Sequence, residues 1–216
     1  LPMIAGNLLQ QCYNIADTII VGRFLGADAL AAVGSAYTLM TFLTSIILGL
    51  CMGSGASFSI SYGQQDFDRM KAGIFQSFVF IGAVTLVLNA AVFIGIRGII
   101  WFLRVPDSIT GLMEDYLLVI FAGIVGTFLY NYFACLLRSI GNSRVPLLFL
   151  AVSAVMNIVL DLVFVVVFYW GVAGAAFATI LSQYVSGIGL AIYTKVRFPG
   201  KVPRERHKRG EGRVFL

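Results

Sequence analysis

The chain has 216 residues, of which 59% are hydrophobic and 12% are charged. Ordinary soluble domains carry about 45–50% apolar and about 25% charged residues, so the composition excludes a water-soluble globular domain. It also excludes intrinsic disorder, because a chain this apolar does not stay solvated. The remaining class is an integral membrane protein.

Long stretches without ionisable side chains predict membrane spans, since a helix needs about 20 residues to cross a bilayer. The uncharged stretches lie between Asp28 and Asp66, between Lys71 and Arg97, and between Asp115 and Arg138. The stretch between Arg144 and Lys195 contains only Asp161, is too long for one helix, and is divided at residues 170–174. We therefore predict six spans, at approximately 1–21, 30–62, 72–103, 112–138, 145–169 and 172–196.

Helices are the better prediction for these spans than strands of a barrel. Barrel strands alternate polar and apolar residues in segments of about 10, and runs such as residues 163–168 do not alternate. The prediction is an all-α membrane protein with a six-helix transmembrane unit at 1–197. The chain starts with Leu1 and Pro2 in an apolar run, so we expect the first helix to be truncated.

The positions of Lys and Arg predict the orientation. Residues 195–213 hold eight of these side chains, and Arg69, Lys71, Arg138 and Arg144 follow spans 2 and 4. Only Arg23, Arg97 and Arg104 follow the odd-numbered spans. Because basic loops stay cytoplasmic, both termini should be cytoplasmic. Residues 198–216 are predicted to be a basic cytoplasmic linker or tail that contacts anionic lipid and not nucleic acid.

Enzyme chemistry finds no support in the sequence. Cys12, Cys51 and Cys135 lie far apart without C-x-x-C spacing, which argues against disulfide frameworks and zinc sites. The single histidine, His207, lies in the tail, and the glycines at 53 and 55 lack the third glycine of a dinucleotide loop. We predict that the protein is not an enzyme and needs no cofactor.

Two carboxylates inside predicted spans, Asp17 and Asp161, are the main functional signal. An Asp at the centre of a membrane helix costs about 2.5–3.5 kcal/mol on insertion scales, and such residues usually face a cavity or a partner. No span offers a basic partner, so we expect relief from polar neighbours and from a proton or a metal cation. This is the physical requirement for an ion-coupled transporter.

Helical spacing indicates the polar neighbours of the two carboxylates. Tyr13 and Asn14 share a helix face with Asp17, and Asn157 shares one with Asp161. Two further residues in apolar stretches are expected to join the same cluster, namely Asn131 and Thr179. For these two taken alone, ordinary hydrogen bonds between helices, worth about 0.6 kcal/mol each, are the simpler interpretation.

Several stretches together resemble the multidrug and toxic compound extrusion (MATE) transporters. Residues 14–34, NIADTIIVGRFLGADALAAVG, look like the first-helix signature of that family. Residues 53–66, 138–146 (RSIGNSRVP), 157–161 (NIVLD) and 171–179 resemble later segments of it in the same order. The resemblance covers nearly the whole chain.

The resemblance implies one six-helix lobe of a MATE transporter of the MOP superfamily, in which the amino-terminal lobe holds a cation site. Asp17 and Asp161 match its carboxylates, which could take Na⁺ or a proton. Pro2 matches a proline associated with bending of the first helix. The polar residues around the site are matched by Tyr13, Asn131, Asn157 and Thr179. Family members have twelve helices in two lobes, so a second six-helix lobe is missing from this sequence.

The expected function is therefore half of a multi-pass exporter in the plasma membrane, the inner membrane of a bacterium. It would carry drugs or organic cations by antiport with protons or sodium. One alternative is a lipid-linked oligosaccharide flippase of the same superfamily. Such proteins often line their cavity with Arg or Lys to hold a pyrophosphate, and the absence of cationic residues at the span centres argues against this alternative. Another is a membrane fragment or assembly subunit that does not transport.

Overall fold

A computed structural model describes the backbone of residues 2–197, and the side chains of this range except those of residues 2–5 and 7. The predicted tail at 198–216 lies outside the described residues. The helices of the described range, in chain order, are α1 (Pro2–Leu25), α2 (Ala27–Gly63), α3 (Phe67–Phe102), α4 (Asp107–Ala122), α5 (Ile124–Ser139), α6 (Arg144–Asp161) and α7 (Gly171–Arg197). A π-helical segment, Leu162–Val167, continues α6. The all-helical membrane fold predicted from the sequence is confirmed.

The helix count differs from the prediction, because the fourth span is two helices. α4 and α5 meet at Gly123 with a bend of 46°. A Cβ atom on Gly123 would overlap the side chain of Ile180 in α7, so the glycine permits a contact that a larger residue would block. The described chain thus has seven α-helices where six were expected.

Membrane-spanning character is uneven among these helices. In the described range, four helices are long and apolar enough to cross a bilayer: α2, α3, α6 with its π extension, and α7. The bent α4 and α5 pair counts as a fifth span. α1 has 24 residues and is long enough, but it carries polar side chains such as Gln10, Gln11 and Asp17. The most polar helix is thus the one that carries a predicted site carboxylate.

The connections between helices are short and have local causes. Gly26 alone joins α1 to α2, with a φ of 90° that favours glycine. Asp66 caps α3 by accepting a hydrogen bond from the backbone N–H of Arg69 at 3.0 Å. Such tight turns make successive long helices antiparallel neighbours, and α1 also packs along α6.

α5 and α7 pack most closely at two small residues. A Cβ on Gly187 of α7 would lie 2.9 Å from the carbonyl oxygen of Gly126 in α5 and 3.0 Å from the backbone nitrogen of Tyr130. Membrane helices use small residues for such backbone contact, because lipid supplies no hydrophobic drive for their association. This pair places Thr179 of α7 beside the polar residues of α5 and α6.

The outward faces of the helices are apolar. Phe75 and Ile94 of α3 are 71% and 88% exposed, and Ile192 of α7 is 57% exposed. In water such surfaces would drive aggregation, whereas in a bilayer they contact lipid tails. The chain is thus a multi-pass membrane protein whose polar groups collect on the inside.

Candidate functional site

A cavity of about 460 Å³ lies between α1, α2, α4, α5 and α7. One side of it follows α1 from Gly6 to Thr18. Its polar and charged lining residues are Gln10, Gln11, Tyr13, Asn14, Asp17, Thr18, Tyr37, Thr44, Tyr116, Thr127, Tyr130, Asn131, Arg138, Thr179 and Gln183. A volume of this size holds a drug-sized molecule, and more than half of the residues that line this cavity are polar or charged.

Asp17 lies on the cavity face of α1 and is half-buried. Its Oδ1 atom is buried and has no hydrogen-bond partner among the described residues. The carboxylate thus borders the cavity while one of its oxygens is withdrawn from it.

Asp161 is completely buried, with 0% exposure, at the last position of α6. Neither of its carboxylate oxygens has a hydrogen-bond partner in the described part of the chain. The π-helical segment begins at the next residue, and Phe168 donates its backbone N–H to the Val163 carbonyl in the i to i+5 pattern at 2.9 Å. π-helical turns are frequent at functional sites, and this one directs the chain after Asp161 away from α-helical register.

Asn157 lies one turn before Asp161 and is 2% exposed. Its Nδ2 donates to Oγ1 of Thr179 in α7 at 3.3 Å, while its Oδ1 has no partner within the described residues. A small cavity of about 10 Å³ lies beside this pair and is bounded also by Tyr13 and Ser182. Tyr13 and Thr179 line both cavities, so the Asn157 region adjoins the larger one.

Asp17 and Asp161 lie on α1 and α6, which pack against each other, and the two carboxylates are close enough for their charges to interact. Tyr116 of α4 lines the same cavity as Asp17. Neither carboxylate forms an ion pair among the described residues, where the ion pairs are Lys71 with Asp68 and Arg97 with Glu114. Two like charges in a poorly solvated place repel each other strongly unless a proton or a cation lies between them.

Buried oxygens without partners concentrate at this place. Five buried side-chain polar atoms lack a partner in the described range, and four of them belong to Asp17, Asn157 and Asp161. The fifth is Oδ1 of Asn89 in α3. Carboxylate, amide and hydroxyl oxygens suit a hard cation such as Na⁺ or a proton, whereas softer metals prefer thiolate or imidazole.

The predicted residues therefore divide into two groups. One group consists of Asp17, Asn157, Asp161, Thr179 and Tyr13, which the structure brings together.

The second group lines the cavity but is engaged locally. Asn131 donates to the Thr127 carbonyl of its own helix at 2.9 Å, and Asn14 donates to Oε1 of Gln11 at 3.2 Å. Pro2 is the first residue of α1, its side chain is outside the described set, and its role in bending remains a prediction.

Sequence reasoning missed Tyr116, Gln183 and Arg138, all of which line the cavity. Tyr116 carried the same signal as Tyr13, a polar-tipped aromatic residue within a span. Gln183 lies one helical turn after Thr179, a spacing that puts both on one face of α7. Arg138 was counted only as a loop charge for orientation, because its direction depends on packing.

Comparison with known proteins agrees with this geometry. A family model described as MatE matches residues 2–163. The chain is 35% identical over 206 residues to the probable multidrug resistance protein YpnP of Bacillus subtilis, covering 94% of this chain and 46% of that protein.

Two solved structures share the fold. A MOP superfamily transporter from Pyrococcus furiosus superposes with a TM-score of 0.87 at 25% identity, covering 98% of this chain and 47% of that one. An outward-facing multidrug resistance MATE family transporter has a TM-score of 0.86 at 26% identity, with coverages of 93% and 44%. The chain thus spans just under half the length of the relatives it matches. It belongs to the MatE family, a family of membrane transporters and not of enzymes.

Proposed function

We propose that this chain forms the amino-terminal half of a secondary transporter that exports organic cations by antiport with protons or sodium. The observation that carries the proposal is the set of four buried, unpartnered oxygens on Asp17, Asn157 and Asp161, next to a cavity of about 460 Å³. Buried acceptors of this kind are costly unless a donor or a cation satisfies them. The coupling ion is the group that would satisfy them.

The proposed coupling follows from the position of Asp17, which belongs to both places. Its Oδ1 is buried without a partner and is the oxygen that we assign to the cation site, while the residue also borders the cavity. A proton or Na⁺ at the site removes the repulsion between Asp17 and Asp161 and favours a close approach of α1 and α6. A cationic compound in the cavity is attracted to Asp17 only while that carboxylate is not neutralised, so the ion and the compound compete.

Competition between the ion and the compound couples their movements across the membrane only when the two ligands favour different conformations. A ligand shifts a conformational equilibrium only by its difference in affinity for the two states. We propose that the ion favours one arrangement of α1 and the compound favours the other. A second six-helix half would supply the opposite wall of the transport path. The plasma membrane is the proposed location, with both ends of this chain cytoplasmic.

The test uses Asp17→Asn, Asp161→Asn and the double variant in the intact protein, with Asp28→Asn as the matched control. Asp28 is exposed at the start of α2 and lies outside the cavity lining. We expect each site variant to abolish export driven by an imposed H⁺ or Na⁺ gradient in everted vesicles, with unchanged amounts of protein in the membrane. Asp28→Asn should export at the wild-type rate, and ion-driven export at that rate by the double variant would falsify the proposal.

A further inference from the structure

One cationic side chain shares the cavity with Asp17. Within the described residues, Arg138 is the only Lys or Arg that lines the cavity, and Asp17 is the only carboxylate that does. Arg138 is half-buried in the last turn of α5 and is not in an ion pair with any described residue. Tyr130, two helical turns earlier in α5, is another lining residue.

The two charges lie at opposite ends of the cavity. Gly6 of α1 is near Leu147 and Leu150 at the start of α6, while Asp17 is near Asp161 at its end, so α1 and α6 run parallel. The Tyr130 hydroxyl donates to the Pro146 carbonyl at the start of α6 at 3.3 Å. The carboxyl end of α5, which carries Arg138, is therefore beside the beginning of α1 and not beside Asp17.

Helix geometry gives the scale of this separation. Tyr13 and Tyr130 are neighbours across the cavity. Arg138 is eight residues beyond Tyr130, about 12 Å along α5, and Asp17 is four residues beyond Tyr13 in the opposite direction, about 6 Å along α1. The length of the Arg side chain shortens the remaining gap between the charged groups. The cavity thus has a positive end and a negative end, separated by about the length of a drug-sized molecule.

An arginine in the last turn of a helix has an ordinary explanation, since it complements the helix dipole. That explanation does not require the side chain to border a cavity. Arg144, on the same connection, is exposed and does not line it. A partly desolvated guanidinium without a carboxylate partner is unfavourable unless an anionic group reaches it, and the planar fork of Arg matches a carboxylate with two hydrogen bonds.

We infer that Arg138 is a second recognition point of the cavity, which binds the carboxylate of a zwitterionic compound whose amine lies towards Asp17. The inference rests on the proposed function and adds a substrate class to it. Organic cations use only the Asp17 end, whereas zwitterions use both ends. Removal of Arg138 therefore affects the two classes of compound differently.

The experiment compares a fluorescent zwitterion with its ester. Rhodamine 110 carries a free carboxylate, and rhodamine 123 is its methyl ester. Equilibrium binding of both dyes is measured with the intact protein in phosphatidylcholine nanodiscs, using the wild type, Arg138→Gln, Arg138→Lys and the control Arg144→Gln. The wild type should bind rhodamine 110, and Arg138→Gln should weaken this binding about tenfold, as expected for a hydrogen bond to a charged group.

Binding of rhodamine 123 should stay within about twofold in all variants, since its ester offers only a neutral acceptor to Arg138. Arg138→Lys should recover part of the affinity for rhodamine 110, and Arg144→Gln should not change it. An equal loss for both dyes, or no loss for either, overturns the inference. Wild-type protein that binds neither dye overturns the proposed compound class as well.

A lipid headgroup is the other source of an anionic group near Arg138. The second arm therefore repeats the measurement in nanodiscs that contain phosphatidylglycerol. We expect the wild type still to bind rhodamine 110 more tightly than Arg138→Gln does. Disappearance of this difference in the presence of the anionic lipid would assign Arg138 to a phosphate headgroup and overturn its assignment to the bound compound.

Discussion

Asp161 has both carboxylate oxygens buried without a hydrogen-bond donor in the described chain, and Asn157 and Asp17 each add one more such oxygen. A hydrogen bond between membrane helices, such as that of Asn157 with Thr179, is worth about 0.6 kcal/mol. An Asp at a helix centre costs about 2.5–3.5 kcal/mol, so that bond cannot offset the cost of the carboxylates. At this scale the unpartnered carboxylates destabilise the fold, and the proposed binding of a cation or proton would offset that cost.

Occupancy of the site should therefore be visible as thermal stability. A ligand that binds only the folded state at 100 times its Kd contributes about 2.7 kcal/mol. We expect the Tm of the wild type to rise when Na⁺ is added at constant pH, or when the pH is lowered without Na⁺, according to the coupling ion. The Tm of Asp161→Asn should respond much less to either ion, because the variant lacks the completely buried carboxylate and keeps only that of Asp17.

The same scan in detergent, with Asp28→Asn as control, separates this effect from general ionic strength. Asp28→Asn should respond like the wild type, since its side chain is exposed. A Tm of Asp161→Asn that follows Na⁺ and pH as the wild type does would place the coupling ion elsewhere.

The amide of Asn157 donates one hydrogen bond to Thr179, and its Oδ1 has no partner among the described residues. We propose that Oδ1 contributes to binding of the coupling ion. Asn157→Ala should raise the ion concentration at half-maximal thermal stabilisation about tenfold, which corresponds to about 1.4 kcal/mol. Asn89→Ala is the matched control, since Asn89 also has a buried unpartnered Oδ1 but lies in α3. Equal effects of the two variants would mean that Asn157 serves packing alone.

At the scale of elements, helix packing brings the site residues together. α1 supplies Asp17, α6 supplies Asn157 and Asp161, and α7 supplies Thr179. The approach of α7 to α5 depends on Gly187, whose missing Cβ leaves room for the backbone of Gly126. The position of Thr179 thus depends on a glycine that is outside the cavity lining.

Gly187→Ala should weaken this packing. The added Cβ would lie 2.9 Å from the Gly126 carbonyl oxygen and 3.0 Å from the Tyr130 nitrogen, and backbone atoms cannot move aside as a flexible side chain can. Overpacking of this kind costs about 1–3 kcal/mol, and for a chain of this size the Tm falls by about 2–4 °C per kcal/mol. Thermal unfolding in detergent, followed by fluorescence, measures the loss.

Gly49→Ala is the control for helix propensity, because a Cβ on Gly49 would meet no atom within 4 Å and the residue is exposed. It should leave the Tm unchanged or raise it by about 1–4 °C, since Ala is favoured over Gly inside a helix by about 0.5–1 kcal/mol. A comparable loss in both variants would show that the contact with Gly126 does not decide the result.

At the scale of the whole molecule, the distribution of Lys and Arg predicts the orientation, and the short connections of the fold make the prediction testable. Asp28 is next to the connection of α1 with α2, and Arg69 is next to that of α2 with α3. The length of α2, 37 residues, separates them by about 55 Å at 1.5 Å per residue. These two positions therefore lie on opposite sides of the membrane.

Single cysteines at these positions report the sidedness. In a background without Cys12, Cys51 and Cys135, Asp28→Cys should react with a membrane-impermeant maleimide in intact cells. Arg69→Cys should react only after the cells are opened, because the positive-inside rule makes its loop cytoplasmic. The opposite pattern of labelling would reverse the orientation and place both ends of the chain outside the cell.

The sequence determined by itself that this protein spans a membrane, where its spans approximately lie, and which two carboxylates are out of place in lipid. These conclusions depend on hydrophobicity and charge along the chain, which need no knowledge of neighbours. The resemblance carried by residues 14–34 and the later segments identified the family on the same local basis.

The tertiary structure alone decided the bend at Gly123, the buried oxygens without partners, the contact of Asn157 with Thr179, and the direction of Tyr116 and Arg138 into the cavity. Each of these features is set by side chains on a different helix, as Ile180 is for Gly123. Periodicity along one helix shows which residues share a face, but the helix that this face meets depends on packing between distant segments. For that reason the sequence indicated only that Arg138 carries a charge after the fourth span, whereas the structure shows that it lines the cavity.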